Sequence, residues 1–330
     1  MKQQVPDLEQ ASRCRFRERF QRDRRRFLVT SAAALGTAAL AGDVHSTQAS
    51  QNEEWVDAHV HVWTPDLEKY PLATGYSRKS MQPASFTPQQ LMVHARPSGV
   101  GRVVLIQMSY YGFDNSYMLD VIRNQPKTYR GVAVIDENDD PARVMKKMKK
   151  QGVSGFRIQP GKRRAGDWLK GDGMQAMWST AADEGQSMCH LINPEFLPSV
   201  DRMCSRYPKT SVVIDHFARI GIDGKIREKD LANLCRLARH PQVTVKVSAY
   251  YALGKKQAPY RDLGSMIRRL LGEFGAERLM WASDCPFQVG GGHAYAPSIN
   301  LIKSGLEFLS NEQKSWILKK TAEKVFFQPV

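Results

Sequence analysis

The sequence predicts an α/β protein built as a single (β/α)8 TIM barrel, preceded by a cleavable signal segment. Three observations predict it. Eight short runs rich in apolar and β-branched residues recur from residue 56 to residue 282, separated by stretches of helical length. Most of these runs are apolar on successive residues, the pattern of parallel strands covered on both faces. No glycine-rich phosphate-binding turn follows the first run, which argues against a doubly wound dinucleotide-binding sheet. Eight alternations in about 280 residues is the length of one barrel.

The first 49 residues stand apart. Arg13, Arg15, Arg17, Arg19 and Arg22 lead into Asp23-Arg24-Arg25-Arg26-Phe27-Leu28, and a small-residue apolar run follows to Ala41. A charged region, a short apolar region and a small-residue site at Thr47-Gln48-Ala49 have the layout of an export signal. Arg-Arg-x-Phe-Leu before a weakly apolar run resembles the twin-arginine type. Residues 1–49 are therefore expected to be that signal, residues 50–330 the barrel, and the mature protein periplasmic or extracellular. The apolar run is too short to span a bilayer, and no later stretch is apolar for about 18 residues.

The chain carries a formal net charge of +15. Residues 1–49 hold nine Lys/Arg and five Asp/Glu, so +11 remains on the rest. Those charges are scattered and are not massed on an aromatic-rich stripe. This argues against a nucleic-acid partner and is compatible with an anionic small molecule. Cys189, Cys204, Cys235 and Cys285 form no CxxC pair, so neither a zinc knuckle nor a disulfide framework is indicated.

Taken in order, the predicted strands are 56–62, 102–108, 129–135, 154–158, 187–192, 211–214, 243–247 and 278–282. Thr87-Pro88-Gln89-Gln90 supplies an N-cap, a proline at the first helical position and a capping-box glutamine. A basic helix end at 145–150 is closed by Gly152. Residues 196–207, 228–239 and 260–274 read as amphipathic helices, and Pro208 and Pro241 stop two of them. The proline-containing connection 64–86 is long enough to form a flap over the barrel mouth.

The chemistry starts in strand one. Its period-two pattern sets Asp57, His59 and His61 on one face, and Val56, Ala58, Val60 and Val62 on the other. His59 and His61 then lie roughly 7 Å apart and can converge on one ion or one water. Barrel chemistry gathers at the carboxyl ends of the strands. There the sequence places Gln107, with Tyr110 and Asn115 just beyond, after strand two. Arg157 belongs to strand four, His190 to five, Asp215-His216 to six, Lys246 and Tyr250 to seven, and Asp284 to eight.

A single strand-end histidine ordinarily serves the core. Four of the chain's eight histidines meeting one carboxylate form a centre able to activate water. Arg157 is a candidate clamp for a substrate carboxylate, or the partner of a barrel carboxylate such as Asp136. Lys246 is a second anion contact or a structural cation. Gln107, Asn115, Tyr110 and Tyr250 are candidate substrate contacts.

These residues carry a resemblance. His59 and His61 on strand one, His190, His216 and Asp284 resemble the amidohydrolase superfamily. Within it the chain resembles the amidohydrolase-related group of pyrone dicarboxylate and sugar lactonases. The shared phrases are Asp57-Ala58-His59-Val60-His61-Val62-Trp63, Gly112-Phe113-Asp114-Asn115, Arg130-Gly131-Val132-Ala133-Val134, Gly155-Phe156-Arg157, Val213-Ile214-Asp215-His216 and Trp281-Ala282-Ser283-Asp284. They cover nearly all of residues 55–327.

The resemblance implies hydrolysis of a lactone or related cyclic ester. It implies Asp284 as general base and His216 as the group that orients water or polarises the carbonyl. His59, His61, His190 and Asp284 then surround the water, or one divalent metal such as zinc or manganese. Lactonases of this group also work without a metal. No Lys ends strand four, where binuclear relatives carry a carbamylated Lys, so two metals are not expected. Phe287 follows Pro286 where many relatives have His. Two alternatives stay open: a metal-dependent decarboxylase of the same superfamily, and a non-catalytic exported barrel that binds a sugar acid or lactone. The expected partner is a small molecule, anionic or a sugar lactone. The sequence sets neither substrate identity nor oligomeric state.

Overall fold

The computed structural model describes residues 54–329. The expected leader, 1–49, lies outside the described residues. Eight parallel strands form one sheet in chain order: β1 (Trp55–Val60), β2 (Val100–Ile106), β3 (Tyr129–Ala133), β4 (Val153–Ile158), β5 (Ser187–His190), β6 (Ser211–Ile214), β7 (Val243–Ser248) and β8 (Leu279–Ala282). Every predicted run is a strand, with ends within two residues of those expected. The helices between them are α1 (Pro88–Ala95), α2 (Ser116–Asn124), α3 (Pro141–Lys149), α4 (Asp172–Glu184), α5 (Leu197–Arg206), α6 (Glu228–Arg236) and α7 (Gly264–Phe274). After β8 come α8 (Tyr295–Asn300), α9 (Asn311–Ser315) and α10 (Thr321–Phe326). No described helix is long and apolar enough to cross a membrane.

Local signals act as the sequence says. Thr87 caps α1 as a capping box: the Gln90 backbone N–H donates to Thr87 Oγ1 at 3.3 Å, and the Thr87 N–H to Gln90 Oε1 at 2.7 Å. The 64–86 connection is closed at its base by reciprocal backbone bonds between Trp63 and Phe86. It is tied to the loop after β2 by the Ala73 N–H donating to the Tyr110 carbonyl.

The core has two layers. An outer layer packs strand residues such as Val103, Leu105, Val245 and Trp281 against the helices. An inner cluster fills the barrel with Val56, Ala58, Val104, Ile106, Val132, Cys189, Val213, Met280 and Ala282. Ala322 and Phe326 of α10 plug its floor. This assignment of faces fixes which strand-end residues point inward.

The seam between β8 and β1 carries no regular ladder. It is closed by the Asp284 N–H donating to the His59 carbonyl at 2.9 Å and the His61 N–H to the Cys285 carbonyl at 2.8 Å. A third tie is a side chain: Asp57 Oδ1 accepts from the Ser283 N–H at 2.9 Å.

Candidate active site

Strand alternation explains half of the site. Val213 of β6 and Met280 and Ala282 of β8 face inward, so Asp215 and Asp284 do too, each two residues on. Phe156 and Ile158 of β4 face the helices, which turns Arg157 inward. Val245 and Val247 of β7 do the same for Lys246 and Ser248.

His59 and His61 arrive differently. Asp57, His59 and His61 do not share a face, contrary to the simple alternation. The register of β1 against β2 shifts between Asp57 and Val60. Val56 and Ala58 belong to the inner cluster, whereas Val60 and Val62 belong to the outer one. The irregularity swaps the faces and re-aims the two imidazoles into the barrel, a common use of bulges beside active sites. The His59 N–H donates to Asp57 Oδ1 at 3.2 Å, and the Tyr295 hydroxyl to Asp57 Oδ2 at 2.8 Å. Burial raises the Asp57 pKa to about 6.

His216 needs another device. His216, Phe217, Ala218 and Arg219 all have φ between 52° and 60°, a left-handed turn without glycine. Each such residue costs roughly 1–2 kcal/mol. The turn brings His216 Nε2 to 3.6 Å from Asp284 Oδ2. Asp284 is itself left-handed, with φ 63°.

Around Asp284 the polar groups are ordered. His61 Nδ1 lies 3.0 Å from the Ile106 carbonyl, to which only a protonated nitrogen can donate. His216 Nδ1 pairs with Ser248 Oγ at 2.8 Å. Arg157 Nη2 lies 2.7 Å from His59 Nε2; guanidinium only donates, so Nε2 accepts. In the neutral rings, Nε2 of His59 and His61 thus carry lone pairs, each 3.5 Å from Asp284 Oδ1. That oxygen is buried and, among the described residues, has no hydrogen-bond donor.

Burial drives His59 well below the ordinary imidazole range, with Lys246 adding to the effect and Asp215 opposing it. Burial also lowers His216 to about 4. Burial opposes the charge of Asp284; in their protonated forms His216, His61 and His59 outweigh it and hold its pKa below the usual carboxylate range. Beneath them, Lys246 Nζ lies 3.0 Å from Asp215 Oδ1 and 3.2 Å from His59 Nδ1. Burial would raise Asp215 as well; Lys246, His59 and Arg157 keep it ionised.

His190 does not join this group. Cys189 faces the interior, so the pleat turns His190 toward the helices. Its ring stacks on Trp178 of α4 at 5.5 Å and meets Trp168 edge-on at 5.6 Å, and both ring nitrogens lack partners. Burial lowers its pKa to about 3. Among the described residues, the ligand atoms within 4.8 Å of one another belong to His59, His216 and Asp284. His216 thus stands where the sequence placed His61 and His190 in the ligand set.

The other expected contacts fall elsewhere. Arg157 pairs with Asp215, at 3.7 Å, and not with Asp136. Gln107 donates to the Gly112 and Asp114 carbonyls, and Asn115 to those of Phe113 and Val134; both brace the loop after β2. Tyr110 packs against Trp63 and Tyr76. Tyr250 is buried between Phe217 and Tyr260, and its hydroxyl has no partner. Its neighbour Tyr251, which sequence reasoning missed, donates from its hydroxyl to Asp284 Oδ2 at 2.8 Å. Counting from Lys246 and Ser248 selects Tyr250, but Ala249 is left-handed, with φ 57°, and the count slips by one. Phe287 covers the centre, with its ring 5.8 Å from His61 and 6.2 Å from Tyr251.

The donor set fits a divalent cation: neutral imidazoles with inward lone pairs and an ionised carboxylate oxygen without a donor. Arg157 would have to release His59 Nε2 for that nitrogen to serve. The same set fits a water that donates to Asp284 Oδ1.

Comparison with known proteins agrees with this architecture. L-fucono-1,5-lactonase of Burkholderia ambifaria is 28% identical over 246 residues, 72% of this chain and 82% of that protein. A 2-pyrone-4,6-dicarboxylate hydrolase of Comamonas testosteroni is 28% identical over 240 residues, 70% of this chain and 76% of that one. A zinc-bound amidohydrolase structure from Burkholderia multivorans superposes with a TM-score of 0.71 at 19% identity, over 84% of this chain and all of that one, and shows the fold alone. The amidohydrolase family model matches residues 56–328. Eight parallel strands, an inward His/Asp centre at their carboxyl ends and a match over that span place one conclusion beyond the fold: this chain belongs to the amidohydrolase family.

Proposed function

We propose that the chain is an exported lactone hydrolase whose substrate ring carries a carboxylate. One observation carries the reading: Asp284 Oδ1, ionised, buried and without a donor among the described residues, stands 3.5 Å from an imidazole nitrogen of each of His59 and His61, where it can accept the proton of a bound water. The lactonase activities of the two relatives named above supply the reaction class.

Water bound at Oδ1 gives up a proton to Asp284 as its oxygen forms a bond to the lactone carbonyl carbon. The ring C–O bond then breaks, and Asp284 returns the proton to the leaving oxygen. His216, neutral and fixed by Ser248, accepts a hydrogen bond from the water or, once protonated, donates to the carbonyl oxygen as it gains charge. Arg157 holds the substrate carboxylate; its buried Nε has no partner. A divalent cation such as zinc or manganese, held by His59, His216 and Asp284, would lower the pKa of bound water when present. The twin-arginine-like stretch Arg24-Arg25-Arg26-Phe27-Leu28 supports reading this chemistry as taking place in the periplasm or outside the cell.

The test is a panel of neutral sugar lactones and carboxylated pyrones and muconolactones, with acid release followed against CO₂ release. Acid release from a carboxylated lactone is expected. Arg157→Met should raise KM for it by roughly 10- to 100-fold, the loss of one charge-assisted contact of about 1.5–3 kcal/mol. Release of CO₂ from an aromatic acid would instead establish a decarboxylase.

A further inference from the structure

We propose that Tyr251 is a positioning residue that anchors Asp284 through Oδ2 and so reserves Oδ1 as the oxygen that takes the proton. The inference rests on the hydrolase reading for its kinetic arm only.

The two carboxylate oxygens are not equivalent. Oδ2 accepts from the Tyr251 hydroxyl at 2.8 Å and has His216 Nε2 at 3.6 Å. Among the described residues Oδ1 accepts from no donor, and it stands 3.5 Å from each of His59 Nε2 and His61 Nε2. A carboxylate with both oxygens free would turn about its Cβ–Cγ bond, a broad torsion with little barrier of its own. One short hydrogen bond to Oδ2 stops that turn and leaves Oδ1 facing the imidazoles.

Tyr251 is built to hold this position. Its ring lies against Phe287 at 6.2 Å and 28°, and meets the His293 ring edge-on at 6.1 Å. His293 Nδ1 is in turn 2.9 Å from the Tyr260 hydroxyl, which accepts from Gln288 Nε2 at 2.9 Å. The anchor is therefore braced by residues 287–293, the loop directly after Asp284. Phe287 touches both Tyr251 and His61, which links the anchor to the other side of the water position.

The test is Tyr251→Phe, which keeps the ring and removes one hydroxyl. The variant should fold with a melting temperature close to that of the parent. On the lactone hydrolysed best, kcat should fall by roughly 10- to 100-fold with KM unchanged, the scale expected when a catalytic group loses its geometry. The crystal structure of the variant should show the Asp284 carboxylate rotated, with Oδ1 no longer equidistant from His59 and His61. An unrotated carboxylate overturns the proposal, whatever the kinetics. So does a wild-type kcat. A raised KM at constant kcat also overturns it, because Tyr251 would then be a substrate contact. If the parent protein hydrolyses no lactone in the panel, the functional reading fails, and the crystallographic arm still decides the anchor by itself.

Discussion

Asp284 and His216 both sit in the left-handed backbone region, two residues of the same centre held where L side chains are disfavoured. The surrounding structure fixes them there through the Ser248 and Tyr251 hydrogen bonds. The pH dependence follows from the imidazoles. Burial lowers His216 to about 4, against about 6.5 for a free histidine, so its neutral form persists through pH 5. The acidic limb of kcat/KM is therefore expected near pH 4, with activity lost below it as His216 takes up a proton. A pH–rate profile with its acidic limb between pH 6 and 7 would contradict the assignment. At this scale the sequence was legible where alternation holds: Arg157, Asp215, Lys246 and Asp284 point inward as counted from their strands. It was not legible at His190, because which face of β5 meets the interior depends on how the strand seats against α4.

The elements are joined where the chemistry is. Asp57 ties β1 to the segment after β8 by accepting from the Ser283 and His59 N–H groups and the Tyr295 hydroxyl. It satisfies the N–H that the irregularity in β1 removes from the ladder, and it sets the seam from which His59 and Asp284 both project. Asp57→Ala should leave two buried N–H donors without acceptors and cost roughly 2–4 kcal/mol of stability. Urea denaturation measures this directly; an unchanged midpoint would show that the seam closes without Asp57. The eight strands, the Thr87 cap and the proline stops could be read from residue type and spacing. The shift in β1, the left-handed turn at 216–219 and the left-handed Ala249 could not. Each is a backbone excursion by non-glycine residues that only the assembled barrel over-determines, and each moves a residue onto or off the site.

For the whole molecule, the buried imidazoles make acid costly. His59, His190 and His216 all have folded-state pKa values below the unfolded value near 6.5. Below that pH the unfolded chain binds protons that the folded chain refuses, so stability falls as pH drops. Asp57 acts in the opposite sense: raised to about 6, it favours the folded state as pH falls through that value. Three groups outweigh one, and the melting temperature should decrease steadily from pH 7 to pH 4.5. A calorimetric series that is flat or rising over that interval would refute the burial of those rings in neutral form.

The account stands on Asp284 as the group that takes the proton from water. The direct measurement is kcat of Asp284→Asn beside the parent on the same lactone, with the melting temperature of each. Loss of roughly 10²–10⁴-fold in kcat, in a protein that melts as the parent does, is the predicted result. Turnover close to that of the parent would contradict it.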